Sequence, residues 1–223
     1  MTALLLLHTS PVHVPVFDAL RDRNHPGAVL RHLVAPELLD RARAAGPESV
    51  APALRALLAE AGANAGAEAG AGFGAVLVTC STIGATAESL APALGVPVLR
   101  VDRPMAAAAV RAGTRIAVLA TVESTLAPTR ELLAEEAGER PVSIRTHLVA
   151  GAWERFEAGD TAGYLARVAE AVGAVTDADV IVLAQASMAG AADLVTGTVP
   201  VLSSPAPGLA AGLAASLATR SAP

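Results

Sequence analysis

The stretch Val76-Leu77-Val78-Thr79-Cys80-Ser81-Thr82 has a counterpart 105 positions further on, Ile181-Val182-Leu183-Ala184-Gln185-Ala186-Ser187. Both begin with an apolar run that does not alternate with polar residues, which suits a strand buried on both faces of a parallel sheet. Both then pass into small polar side chains of the kind that open a helix. Working outward, other pairs fall in the same order. Leu7-His8-Thr9 matches Leu119-Ala120-Thr121 at an offset of 112, His32-Leu33-Val34-Ala35 matches His147-Leu148-Val149-Ala150 at 115, and Val96-Pro97-Val98-Leu99 matches Val199-Pro200-Val201-Leu202 at 103. Ordered matches with drifting offsets indicate two similar halves.

Apolar runs predict strands at Ala3–His8, Ala28–Val34, Ala75–Thr79, Val96–Val101, Arg115–Ala120, Val142–Val149, Val180–Ala184 and Val199–Leu202. Helical stretches between them include Pro36–Ala45, Ala51–Ala61, Thr125–Ala137, Thr161–Val172 and Ala206–Ala218. Such alternation implies an α/β fold with right-handed crossovers, here two pseudo-symmetric Rossmann-like halves, each a mostly parallel four-stranded sheet flanked by helices. The division falls at residues 1–102 and 103–205, with the C-terminal helix, residues 206–223, crossing back to complete the first half. The Ala- and Gly-rich segment Ala61–Gly74 reads as a helix end and connector.

Composition narrows the function classes. The 223 residues are 53% hydrophobic, 17% charged and 2% aromatic, too apolar for disorder and long enough for one large or two small cores. No apolar run reaches the roughly 18 residues of a membrane helix. A net charge of -5 with few aromatics argues against nucleic acid. The Leu4–Leu7 run is short for a secretory segment and no basic residue precedes it, so a cytoplasmic protein is expected. Lysine is absent, which removes a P-loop and a pyridoxal phosphate Schiff base. Gly70-Ala71-Gly72-Phe73-Gly74 precedes a strand instead of following one and is no dinucleotide fingerprint. The five histidines lack metal-ligand spacing, so neither metal nor organic cofactor is expected.

In open parallel sheets ligands bind beyond the carboxyl ends of the strands, in the cleft that the two halves are expected to form. The residues there are His8, Thr9 and Ser10; Cys80, Ser81 and Thr82; Thr121, Ser124 and Thr125; and Gln185, Ala186 and Ser187. Hydroxyls and backbone N–H groups at helix starts suit a small carboxylate. Cys80 is the only cysteine and Gln185 the only glutamine. A lone cysteine is either a buried small hydrophobe or a reactive thiol, and helix N-termini favour thiolates. His8 is either a second proton carrier or a histidine bonded to backbone. His32 and His147, at equivalent repeat positions, suggest a shared backbone role.

Taken together, the Cys80 and Gln185 motifs and the opening His8-Thr9-Ser10-Pro11-Val12 resemble the aspartate/glutamate racemase superfamily, which includes hydantoin racemases, maleate cis-trans isomerases and arylmalonate decarboxylases. The resemblance covers almost the whole chain. It implies that Cys80 is the first catalytic cysteine, that Ser81 and Thr82 are adjoining carboxylate binders, and that Thr9, Ser10, Thr121, Thr125, Ala186 and Ser187 line the substrate. It also implies a cofactor-independent enzyme, with a homo-oligomer among the expected states. Gln185 stands where the second catalytic cysteine is expected. An amide neither ionises nor transfers protons near neutral pH, but it donates hydrogen bonds. The sequence therefore points to one-thiol chemistry on a small carboxylate, and leaves open an isomerase, a carboxy-lyase and a non-catalytic carboxylate binder.

Overall fold

The computed structural model describes residues 3–67 and 72–219. The chain divides into two compact units, Met1–Val101 with Pro205–Pro223, and Asp102–Ser204. In the first, the order is β1 (Ala3–His8), α1 (His13–Asn24), β2 (Leu30–Val34), α2 (Pro36–Ala45), α3 (Ala51–Ala67), β3 (Phe73–Val78), α4 (Ser81–Glu88), α5 (Ala91–Leu94) and β4 (Val98–Arg100). In the second it is α6 (Arg103–Ala112), β5 (Arg115–Ala120), α7 (Leu126–Ala137), β6 (Ser143–Leu148), α8 (Ala152–Glu157), α9 (Thr161–Gly173), β7 (Val180–Leu183) and β8 (Val201–Ser203). Helix α10 (Pro205–Ala218) then belongs to the first unit.

Each unit holds one four-stranded parallel sheet, ordered β2-β1-β3-β4 and β6-β5-β7-β8. The fold is thus α/β, built of two all-parallel sheets flanked by helices. The uninterrupted apolar runs of the sequence are explained by burial on both faces. Leu5, Leu7, Val76 and Val78 pack on Leu38, Leu54, Leu58 and Ile83, whereas Leu4, Leu6, Ala75 and Leu77 face Phe17 and Leu209. In the second unit Ile116, Val118, Val180 and Val182 pack on Met105, Ala109, Leu132 and Leu133. Ala117, Leu119, Ile181 and Leu183 meet Tyr164, Val168 and Met188 on the other face.

Helix α10 approaches its sheet closely because its inner positions are small. A Cβ on Gly208 would lie 2.4 Å from the Val101 carbonyl oxygen, and Ser216 Oγ donates to the Ala3 carbonyl at 3.1 Å. Helix α6 occupies the corresponding face of the second unit, so each of these helices follows the last strand of the other unit's sheet.

The pairing register tests the repeat directly. Leu7 pairs with Val78 and Leu119 with Leu183, which preserves the offsets of 112 and 105; Val78 pairs with Arg100 and Leu183 with Ser203, which preserves 103. The fourth match is overturned. Leu6 pairs with His32, but His147 pairs with Leu119, so the structural offset of these strands is 114 and not 115. Because side chains alternate along a strand, one residue of slip puts His32 and His147 on opposite faces. Their shared tetrapeptide is a coincidence of sequence, and a shared role goes with it.

Helices α1, α5 and α8 were not among the helical stretches expected. Helix α1 begins at Val12 without a side-chain cap and carries Pro15 in its first turn, so both usual start signals are obscured. Helix α3 extends to Ala67, and the rest of the expected connector includes residues 68–71, which lie outside the described residues. Among the described residues no helix is long and apolar enough to cross a membrane.

Candidate active site

In the first unit, β1 and β3 end side by side, with Thr79 N–H donating to the Leu7 carbonyl at 3.0 Å. This sets the residues after the two strands next to each other. Cys80 lies at the N-cap of α4 in extended backbone, φ -109° and ψ 115°, and is half-buried; Ser81 and Thr82 follow in the first helical turn. The apolar run of β3 carries the chain to that point, and the small polar residues let the helix start there. Thr9 is buried and Ser10 half-buried just after β1.

Beneath this loop runs a chain of imidazoles. His8 is wholly buried; its Nδ1 lies 2.8 Å from Thr79 Oγ1 and its Nε2 lies 2.8 Å from His32 Nδ1. Thr79 Oγ1 donates its proton to the Leu7 carbonyl at 3.2 Å, so His8 Nδ1–H is the donor to Thr79. His8 Nε2 then accepts from His32 Nδ1–H, and His32 Nε2 faces Asp18 Oδ1 at 3.4 Å. Burial, reinforced by the neighbouring His13 and His32, lowers the His8 pKa to about 3. Burial alone lowers His13 to about 4, and among the described residues its Nδ1 has no hydrogen-bond partner. With both ring nitrogens engaged inside the fold, His8 is placed to hold Thr79, the residue before Cys80.

The second unit repeats the backbone with different chemistry. Gln185 occupies the register position of Cys80, likewise extended, φ -119° and ψ 141°, and capping a nine-residue 3-10 segment, Ala186–Leu194. Thr121, the first residue after β5, donates to Gln185 Oε1 from its backbone N–H at 2.6 Å and from its hydroxyl at 3.0 Å. Ser187 Oγ lies 2.8 Å from the Tyr164 hydroxyl. Tyr164 is wholly buried, which raises its pKa. Thr125 and Ala186 are buried within the same loops.

The structure therefore joins Thr121, Gln185 and Ser187 into one cluster and sets Cys80, Ser81 and Thr82 in another. Sequence reasoning missed Tyr164, Thr79, His32 and Asp18. Tyr164 is the chain's single tyrosine, inside an amphipathic helix where apolar residues are otherwise expected, and that was its only signal. His147 is exposed on β6 and lines a surface hollow with Arg145 and Arg167. Among the described residues no three His, Cys, Asp or Glu side chains are grouped as a metal ion would need.

Comparison with known structures agrees with this architecture. An aspartate racemase from Picrophilus torridus superposes with a TM-score of 0.69 at 14% identity, covering 97% of this chain and 94% of that one. A glutamate racemase isoform from Bacillus anthracis gives 0.65 at 19% identity, covering 94% and 79%. A doubly substituted arylmalonate decarboxylase gives 0.59 at 21%, covering 97% and 93%. No curated protein sequence matches the chain. The family model of Asp/Glu/hydantoin racemases matches residues 15–211, and with most of its length so matched the chain belongs to that family.

Proposed function

We propose that the protein is an isomerase acting on a small carboxylate through the single thiol of Cys80, with no cofactor. The observation that carries this reading is the asymmetry of two register-equivalent positions: a half-buried thiol at Cys80 and an amide at Gln185. Two-base racemisation takes a proton with one group and returns it from another on the opposite face. An amide cannot serve as either. One thiol suffices for addition to an activated double bond. The Cys80 thiolate forms a carbon–sulfur bond, and the π pair moves onto the carboxylate as an enolate. The remaining single bond rotates, and collapse of the enolate expels the thiolate and restores the double bond in the other geometry. Gln185 donates to the oxygen on which charge develops. Thr9, Ser10, Ser81, Thr82, Thr125 and Ser187 supply hydroxyls, and the start of α4 supplies backbone donors for carboxylate oxygens.

A second reading is favoured by the arylmalonate decarboxylase among the structural neighbours. In it the substrate loses carbon dioxide, the electron pair remains as an enediolate, and the Cys80 thiol protonates one face. Incubation in heavy water with maleate, malonates and amino dicarboxylates, followed by NMR, separates these readings. Geometric isomerisation without loss of carbon supports the isomerase, and release of carbon dioxide with one-face deuteration supports the lyase. Binding without turnover, unaffected by Cys80→Ser, indicates a carboxylate binder. Efficient two-way racemisation of an amino acid overturns the one-thiol argument.

A further inference from the structure

The buried hydrogen bonds behind the Cys80 loop can run in either direction, and a single proton on His32 decides which. A carboxylate only accepts, so His32 Nε2, 3.4 Å from Asp18 Oδ1, faces it with a proton. This is an ion-pair contact, since among the described residues Nε2 has no hydrogen-bond partner. The proton on His32 Nδ1 is the one that can come and go. With it in place His32 is an imidazolium, and the directions are those given above: His32 Nδ1–H to His8 Nε2, His8 Nδ1–H to Thr79 Oγ1, and the Thr79 hydroxyl to the Leu7 carbonyl. Without it the same atoms serve in reverse. His8 Nε2–H donates to His32 Nδ1, and the Thr79 hydroxyl turns to His8 Nδ1, while the Leu7 carbonyl keeps the Thr79 N–H at 3.0 Å. His8 is neutral in both forms, in keeping with its burial and its pKa of about 3, and changes only the nitrogen that bears hydrogen.

We propose that His32 and His8 are positioning residues that form a proton relay between Asp18 on α1 and Thr79, the residue before Cys80, so that the charge on His32 sets how firmly the end of β3 is tied to β1. This rests on the reading of Cys80 as the reactive group. A proton arriving at Thr79 Oγ1 displaces the hydroxyl proton onto His8 Nδ1, and the proton on His8 Nε2 passes to His32 Nδ1. Asp18 pairs with the imidazolium so formed. In that form Thr79 holds the Leu7 carbonyl with both its N–H and its hydroxyl; in the reverse form it holds it with the N–H alone. The other groups facing the relay are His13 and Phe17, with ring centroids 6.1 and 5.6 Å from that of His8, and Arg21, which pairs with Asp18 and Asp22.

Labelling the histidine rings with 15N reads their tautomers by NMR. As pH rises and His32 loses its charge, His8 is expected to stay neutral and pass from the Nδ1–H to the Nε2–H form. His32→Asn, which places a non-titrating amide near the Nδ1 position, should fix His8 in one tautomer at every pH. Asp18→Asn should move the His32 titration and the His8 exchange together. Cys80 is the only cysteine, so iodoacetamide reports on this loop alone. Its alkylation rate, corrected for thiolate formation, should rise about fivefold as His32 loses its charge, the scale of the one hydrogen bond given up at Leu7, and stay level in Thr79→Val. A His8 ring that keeps one tautomer while His32 titrates would overturn the proposal, as would a level native rate or a rise that survives in Thr79→Val. If His32→Asn does not fold, Asp18→Asn, at a partly exposed position, decides. If Cys80 is not alkylated in the folded protein, the reactive-thiol reading fails, and the His8 tautomer still decides the relay.

Discussion

After β3 the chain presents a thiol, and after β7, in the same register and nearly the same backbone conformation, it presents an amide. The supports differ as completely as the tips. In the first unit they come from the strand ends themselves: His8 and Thr79 are bonded to each other, and their register equivalents in the second unit are Ala120 and Ala184. There the support comes instead from a helix, where the Tyr164 hydroxyl of α9 lies 2.8 Å from Ser187 Oγ. A duplicated backbone therefore fixes where chemistry can sit, and a few buried side chains behind each loop decide which chemistry it is.

The thiol side should be the more sensitive. Cys80→Ser keeps the shape and removes the nucleophile, and turnover of the substrate found in the heavy-water panel should fall at least about 10³-fold while ligand binding persists. Equal turnover in the variant would remove the thiol from the mechanism. On the amide side, Gln185→Ala deletes a donor without touching the reacting group, and a loss of about 10²-fold in kcat is expected, the scale of one oxyanion donor. A loss as large as that of Cys80→Ser would mean that the two loops are not asymmetric after all. Gln185→Cys sharpens the comparison from the other direction: with a second thiol available, solvent deuterium should enter from both faces of a racemisable substrate.

The asymmetry of tips was legible in the sequence, and the asymmetry of supports was not. The parallel α/β architecture was readable because strands such as Leu4–Leu7 and Val180–Leu183 are buried on both faces and so must be apolar throughout. Cys80 and Gln185 stood out because each is the only residue of its type and each follows such a run. Tyr164 and Asp18 act through contacts to residues 23 or fewer positions away on other elements, and nothing in their own neighbourhoods marks them. The repeat of His32 and His147 misled for a related reason. Short matches in a chain rich in alanine, leucine and valine fix register to within a residue, and a single residue reverses the face.

The imidazole chain should be visible in stability as pH falls below neutrality. Burial holds the folded-state pKa of His8 at about 3, against 6.5 for an ordinary exposed imidazole, so the unfolded chain binds the proton first. Its contribution is fully present above pH 6.5 and is lost as pH falls toward 3. In this window stability should drop by up to about 1.4 kcal/mol per pH unit on account of this residue. His13 adds a dependence of the same sign between 6.5 and about 4. Urea denaturation across this range tests the slope. His8→Phe should flatten it while lowering stability near neutrality, because Thr79 and His32 lose their partner. An unchanged slope in His8→Phe would show that other groups dominate acid sensitivity.

The smallest expected effects discriminate most finely between resemblance in sequence and equivalence in structure. His32 and His147 share the same three following residues, yet His32 donates to buried His8 and His147 lies on the exposed strand β6. His32→Ala leaves a buried ring nitrogen of His8 without its donor and should cost about 1–3 kcal/mol. His147→Ala removes an exposed side chain and should fall within about 0.5 kcal/mol of the native protein. Thermal or urea denaturation of the two variants at neutral pH makes the comparison. Equal losses would restore the offset of 115 as a functional repeat. Unequal ones would confirm that the pairing register, with its offset of 114, decides which histidine faces the core.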